Sequence, residues 1–166
     1  MALERIPMPK LFDPLTIVGL SLKNRIVMPP MANDLATTKG EVTQALIAHY
    51  VRRAAGVGLA IVEHSYVTRK GKLSPRQLGI YDDVLIEGLA DLAESIHAKG
   101  TPVCIQITHA GRRASSSISG SQPVAPSAIP ATDSDEIPRE LEKHEIQSLV
   151  RLFGEAARRA REARFD

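Results

Sequence analysis

An α/β fold built on a parallel sheet is predicted by three features of the sequence: stretches with apolar residues at helical spacing, short apolar runs between them, and regular alternation of the two. In the first helix Leu46, Ile47, Tyr50, Val51 and Ala54 share one face. Thr43 is placed to cap its start, and Gly56 to end it in the left-handed conformation. Residues 59–62 follow as a strand. Asp82 or Asp83 then opens a second helix with Leu85, Leu89, Leu92 and Ile96 on its inner stripe, Gly100 closes it, and residues 103–107 form the next buried strand. A third helix, at about 143–163, aligns Ile146, Leu149, Val150, Phe153, Ala157 and Ala160. Arg158, Arg159 and Arg161 lie near its negative dipole end, with Arg158 and Arg159 expected at the outer surface.

Upstream, residues 26–28 form a short apolar strand that runs into Pro29 and Pro30, which have no backbone N–H to offer a ladder. Before it, residues 15–22 centre on Gly19 and predict a small hairpin. Residues 112–139, rich in Ser, Pro and Ala, predict a long loop of the kind that carries function. Such alternation suits both a doubly wound sheet and a closed barrel, and periodicity does not choose between them.

Composition narrows the function. With 43% apolar and 24% charged residues the chain has one domain's worth of core. No apolar run approaches a membrane span, and residues 1–10 lack the pattern of a secretory signal, so a cytoplasmic location is expected. The single cysteine, Cys104, excludes an internal disulfide and a four-cysteine metal or iron–sulfur site within this chain. A net charge of +2 gives no strong field for nucleic acid or acidic lipid, and neither is expected as a partner.

In parallel α/β architectures ligands sit at the C-terminal ends of the strands. At the first such end, Pro29-Pro30-Met31-Ala32-Asn33-Asp34 joins a stiff backbone to a soft thioether and small side chains. It suits a surface against a flat aromatic ligand, or a plain rigid turn. At the second, alternation puts Ala60, Val62 and His64 on one face, aiming the imidazole into the mouth unless a neighbouring backbone group satisfies it. At the third, Gln106 places a carboxamide in an apolar run, where it must find partners. The edge of a heteroaromatic ring would serve, as would an ordinary core hydrogen bond.

The run Lys23-Asn24-Arg25-Ile26-Val27-Met28-Pro29-Pro30-Met31 resembles the first-strand signature of Old Yellow Enzyme relatives. Gly58-Leu59-Ala60-Ile61-Val62-Glu63, Gln77-Leu78-Gly79-Ile80-Tyr81-Asp82-Asp83, Ile105-Gln106-Ile107-Thr108-His109-Ala110-Gly111-Arg112 and Ala125-Pro126-Ser127-Ala128 follow in that family's order and spacing. Over about residues 11–166 the chain therefore resembles the NADH:flavin oxidoreductase family of FMN-dependent ene-reductases, with wording similar to its 2,4-dienoyl-CoA reductase-like branch. The resemblance implies a (β/α)8 TIM barrel in preference to the doubly wound sheet, with the early hairpin at its floor. Residues 1–166 would be the N-terminal portion, cut off after the third helix. About three strand–helix units are present where a complete barrel of about 250 residues has eight.

By the same resemblance Pro30, Met31 and Ala32 line one face of FMN, His64 lies near the ring's edge, and Gln106 hydrogen-bonds its pyrimidine part. The implied reaction moves hydride from NAD(P)H through FMN to the β-carbon of a small-molecule activated alkene. No catalytic residue is assigned within this chain, because the family's paired histidines or His/Asn, its flavin-side lysine or arginine, and its phosphate site come later in the fold. Ala32 stands where some relatives carry a cysteine and others a threonine, Asp34 where one branch has a substrate-binding tyrosine, His64 where better-known members have a small residue, and Arg164 where glycine is usual. His109, in the His-Ala-Gly-Arg motif, is expected to shape its loop. A homo-oligomer, or pairing with the missing part of the barrel, is the expected assembly. The alternative is a non-catalytic barrel piece whose open sheet edges serve only association. A phosphate-binding aldolase-type barrel fits the alternation but lacks a strand-borne lysine for Schiff-base chemistry.

Overall fold

The structure, a computed structural model, describes residues 8–166, so the expectation about a secretory signal falls for residues 1–7 outside the described residues. It opens with an antiparallel hairpin of β1 (Leu15–Ile17) and β2 (Leu20–Leu22). Val18 and Gly19 between them both take positive φ, 46° and 87°, which a two-residue type I′ turn requires. Next come β3 (Val27–Met28), α1 (Gln44–Ala54), β4 (Leu59–Tyr66), α2 (Ile86–His97) and β5 (Val103–Thr108). A short α3 (Ser116–Ser119), the small parallel pair β6 (Val124–Ala125) and β7 (Arg139–Glu140), and the long α4 (Lys143–Glu162) complete the described elements.

Strands β3, β4 and β5 form one parallel sheet in that order, as the alternation predicts. Their helix-side residues Ala60, Val62 and Val103 merge with Leu46 and Tyr50 of α1, Leu89, Leu92 and Ile96 of α2, and Ala156 of α4 into one core. Each large apolar side chain buried there contributes about 1.5–3 kcal/mol. The layer covers one face of the sheet; three strands do not close a barrel among the described residues. Among them, too, no helix is long and apolar enough to cross a membrane.

Polar groups tie down the N-terminal ends of the strands. Lys23 Nζ donates to Ala55 O, Lys99 O and Thr101 Oγ1, while Thr101 Oγ1 donates to Ala54 O. Asn24 donates to Gly56 O and accepts from Ile26 N. Gly58 packs so closely on this turn that a Cβ would stand 2.1 Å from Asn24 O, so no side chain fits. The signature residues Lys23 and Asn24 thus hold the floor of the sheet, at the end opposite the C-terminal ends of its strands.

Several local expectations are corrected. Thr43 does cap α1, accepting from Leu46 N at 3.1 Å, but Gly56 is not left-handed: the helix leaves through a right-handed Ala55. Strand β4 runs on to Tyr66, four residues past its expected end, because a register shift between Val62 and Ser65 lets pairing with β5 resume. A 3₁₀ turn over Asp83–Leu85, capped by the Asp82 side chain, precedes α2, and Gly100 closes it with φ 68° as expected. The long loop holds real elements, α3 and the β6–β7 pair.

On α4 the buried stripe is Ala156, Arg159 and Ala163, while Val150 is 67% exposed and Ile146 is exposed beside it. Arg159, expected outside, is only 9% exposed. Its Nε donates to Asp83 Oδ1 at 2.6 Å and its guanidinium reaches Ile80 O, so the apolar stem packs while the head finds an anion. Arg158, half-exposed, also donates to Asp83, and the two guanidiniums hold that carboxyl below the usual range. Together they clamp α4 to the turn before α2.

Helix α4 ends in a complete Schellman arrangement: Phe165 N donates to Ala160 O and Arg164 N to Arg161 O, each at 3.0 Å. Arg164 takes φ 64° there, a conformation in which a Cβ is unfavourable. We expect Arg164→Gly to stabilise the fold by about 1 kcal/mol, measured as a higher urea midpoint with an unchanged slope.

Candidate functional site

The parallel register decides which residues meet at the C-terminal end of the sheet. Met28 pairs with Ala60, and Ala60 pairs on its other side with Val103. Met31 and Gln106 each lie three residues further along their own segments, flanking β4 at the same end. The β3 ladder stops at Met28, where Pro29 and Pro30 remove the donors, and the chain turns across the sheet end through Met31, Ala32 and Asn33. Met31 is 61% exposed, Ala32 is exposed and Pro30 half-buried.

On β5, Val103, Ile105 and Ile107 face the helices, so the pleat turns Cys104 and Gln106 to the uncovered face. Gln106 is exposed there, and among the described residues its carboxamide has no hydrogen-bond partner. It therefore keeps two donors and one acceptor free.

The setting of His64 is not the one alternation predicts. Ala60 and Val62 face the helix core, in register with Val103 and Ile105, and not the mouth. The irregularity between Val62 and Ser65 breaks the alternation at Glu63 and His64. Gln77 then fixes the imidazole. Its Oε1 accepts from Leu73 N at 2.7 Å and its Nε2 donates to His64 O at 3.0 Å, which sets the amide's orientation. Nε2 also lies 2.7 Å from His64 Nδ1, so Nδ1 must accept and the ring proton sits on Nε2. Burial lowers the His64 pKa against an opposing pull from Asp34, keeping the ring a neutral donor.

A residue that sequence reasoning did not single out lies beside it. Glu63 is 1% exposed, and its Oε2 accepts from Asn33 N at 2.7 Å, tying β4 to the turn after β3. Burial, opposed by that N–H and reinforced by Asp34, pushes the carboxyl up to about 7. A lone carboxylate ending the run Leu59-Ala60-Ile61-Val62-Glu63 was the signal available for it.

The surrounding charged groups are otherwise engaged or solvated. Arg112 and Arg113 are exposed, and Arg113 pairs with Asp133 at 3.3 Å. Asp34, at φ 52°, accepts from Ser74 Oγ. His109 accepts from Gly111 N through Nδ1 and packs its ring where a Cβ on Gly71 would come within 2.4 Å, a loop-shaping role. A cavity of about 290 Å³ between Thr68, His109, Val124 and the start of α4 contains none of Pro30, Met31, Ala32, His64 or Gln106.

The residues present fit a flat heteroaromatic group. A donor-poor proline–methionine surface, an unpartnered carboxamide and a neutral imidazole N–H suit a ring whose edge carries both donors and acceptors. They offer no grip for a phosphate.

Comparison with known proteins gives the same direction. The family model described as NADH:flavin oxidoreductase / NADH oxidase matches residues 10–166. An NADH oxidase of Thermoanaerobacter brockii is 45% identical over 161 residues, 95% of this chain and 25% of that protein. An NADPH dehydrogenase of Geobacillus sp. (strain WCH70) is 43% identical over 158 residues, 94% of this chain and 46% of that protein. The structure of the old yellow enzyme homologue from Zymomonas mobilis superposes with a TM-score of 0.86 at 34% identity, over 95% of this chain and 47% of that one. The chain thus spans between a quarter and about half of the length of these relatives. On the match across nearly all of its residues, the chain belongs to the NADH:flavin oxidoreductase / NADH oxidase family.

Proposed function

We propose that this chain supplies one wall of an FMN site in a NAD(P)H-dependent flavin oxidoreductase, as the N-terminal part of a β/α barrel. The observation that carries the reading is Gln106: an unpartnered carboxamide on the uncovered face of β5, at the sheet end where the chain leaves β3 through Pro30, Met31 and Ala32. The turn backs one face of the ring, Gln106 meets its pyrimidine edge, and the neutral Nε2–H of His64 lies at its margin. When bound, FMN would supply hydride transfer from NAD(P)H to an electron-poor alkene. The protein's part is to hold the ring flat and leave its other face open. The names NADH oxidase and NADPH dehydrogenase among the relatives support a nicotinamide reductant of either kind. A cytoplasmic setting, with its supply of NAD(P)H, agrees with this reading.

The remaining wall comes from strands added at β5. That strand's free edge lines a groove of about 510 Å³ with Cys104, Ile105 and Ile107 on one side and Ala157, Ala160 and Phe165 on the other. Asp166 already pairs there, donating from its amide to Val103 O and accepting from Val103 N at 2.8 Å each. A further parallel strand would continue the ladder and cover the apolar lining.

Two outcomes test the reading. Titrated with FMN, the 166-residue chain should bind weakly and, with NADPH and cyclohexenone under anaerobic conditions, show no enone-dependent NADPH consumption. Supplying the complementary part of the barrel should bring flavin retention and turnover together. In that assembly Gln106→Leu should weaken FMN binding by about tenfold, the value of one buried hydrogen bond. Assembly without flavin retention would favour the non-catalytic reading, and tight stoichiometric binding with turnover by the 166-residue chain alone would refute the division of the site.

A further inference from the structure

Glu63 occupies a costly position. Its carboxyl is removed from water, yet only one of its oxygens is paired: Oε2 accepts from Asn33 N, while Oε1 is buried without a partner. The Asn33 side chain shows the complementary defect. Its Oδ1 accepts from Leu35 N at 2.9 Å, but its Nδ2 is buried and unpartnered. A buried orphan acceptor and a buried orphan donor thus sit at the two ends of one contact, a cost a fold carries where geometry matters more than stability. The contact lies one residue past Ala32 on one side and one residue before His64 on the other. From α1, the Tyr50 hydroxyl accepts from Glu63 N at 2.7 Å, fixing the strand backbone beneath. Ser65 Oγ donates to Glu63 O at 3.0 Å.

We infer that Glu63 is a positioning residue: through the Asn33 amide it holds the turn at Pro30, Met31 and Ala32 in its ring-facing shape. This rests on the flavin reading above. Among the described residues no other hydrogen bond reaches residues 30–33 from another element, since the β3 ladder has stopped at Met28 and Pro29 and Pro30 donate none; the neighbouring anchors, Ser74 on Asp34 and Thr43 on Leu35, act further along the chain. Without an acceptor at position 63, Asn33 N–H would be left unpaired and the turn released. The ionisable groups facing this carboxyl are Asp34 from the turn itself and Tyr50 from α1.

The carboxyl's titration gives a readout that packing alone would not move. Its folded value of about 7 exceeds the ordinary 4.5, so the folded chain binds the extra proton between the two. The Glu63 contribution to stability is therefore fully present below 4.5, falls as pH rises towards 7, and stays level above it. Glu63→Gln keeps an acceptor for Asn33 N and removes the titration; Glu63→Leu removes both.

The experiment follows the backbone amide of Asn33 by NMR in the 166-residue chain from about pH 5 to 9, across the window in which the group changes charge. FMN titrations of the wild type and both variants accompany it. The wild-type Asn33 amide should shift with a midpoint near 7 and the Gln variant's should not. The Gln variant should bind FMN within about twofold of wild type and the Leu variant about tenfold more weakly, with α1 and α2 amides unmoved in both. A wild-type Asn33 amide that is flat across the range, or a Leu variant that binds FMN like wild type, overturns the inference. Should the Leu variant fail to fold, the contrast between wild type and Gln still decides it. A titrating Asn33 amide in a chain that never binds FMN, even with the complementary part present, defeats the flavin reading and leaves the tether standing.

Discussion

The candidate site depends on one alignment, Met28, Ala60 and Val103 abreast across three parallel strands. Parallel strands fixed at that level carry their next few residues to the same end, so segments 75 residues apart in sequence, around Met31 and Gln106, arrive together. The alignment is enforced from below. Lys23, Asn24 and Thr101 bind the helix ends and strand starts, and Gly58 leaves no room for the turn to slip. A shift of one residue would exchange the faces of a strand, turning Gln106 into the core.

Above the aligned level the regular pairing is interrupted, and the interruptions shape the candidate site. Prolines end the first ladder, the second strand bulges at Glu63 and His64, and the third carries a carboxamide on its free face. Each feature gives up regular backbone pairing for a side chain or surface available to a ligand. Gln77 and Glu63 compensate, one locking the imidazole's tautomer, the other receiving the Asn33 amide. The helix layer beneath is ordinary close packing and supplies the rigidity.

Much of this was legible in the sequence. Helical periodicity located the three long helices, the strands between them and their order, and Thr43 and Gly100 marked real boundaries. Gln106 stood out as a carboxamide in an apolar strand, but it is exposed and unpartnered among the described residues, not the buried, satisfied amide that such a run predicts. The errors share one physical cause: local pattern does not report tertiary contacts. Alternation assigned Ala60 and Val62 to the mouth, since a bulge cannot be read from one strand alone. Arg159 was placed outside because its partner, the exposed Asp83, is 76 residues away in sequence. Gly56 sits at a turn that requires neither positive φ nor the absence of a Cβ, and Glu63 was passed over because its partner is a backbone amide on another segment.

The central claim is that the uncovered face of β3, β4 and β5 is the flavin-facing one. Hydrogen exchange of the chain with and without saturating FMN, in the presence of the complementary part of the barrel, tests it most directly. The account predicts that adding FMN increases protection at residues 31–33, at His64 and along 104–108, with no change in the interiors of α1 and α2. Flavin-dependent protection confined to the helix layer, or to the cavity between His109 and α4, would contradict it.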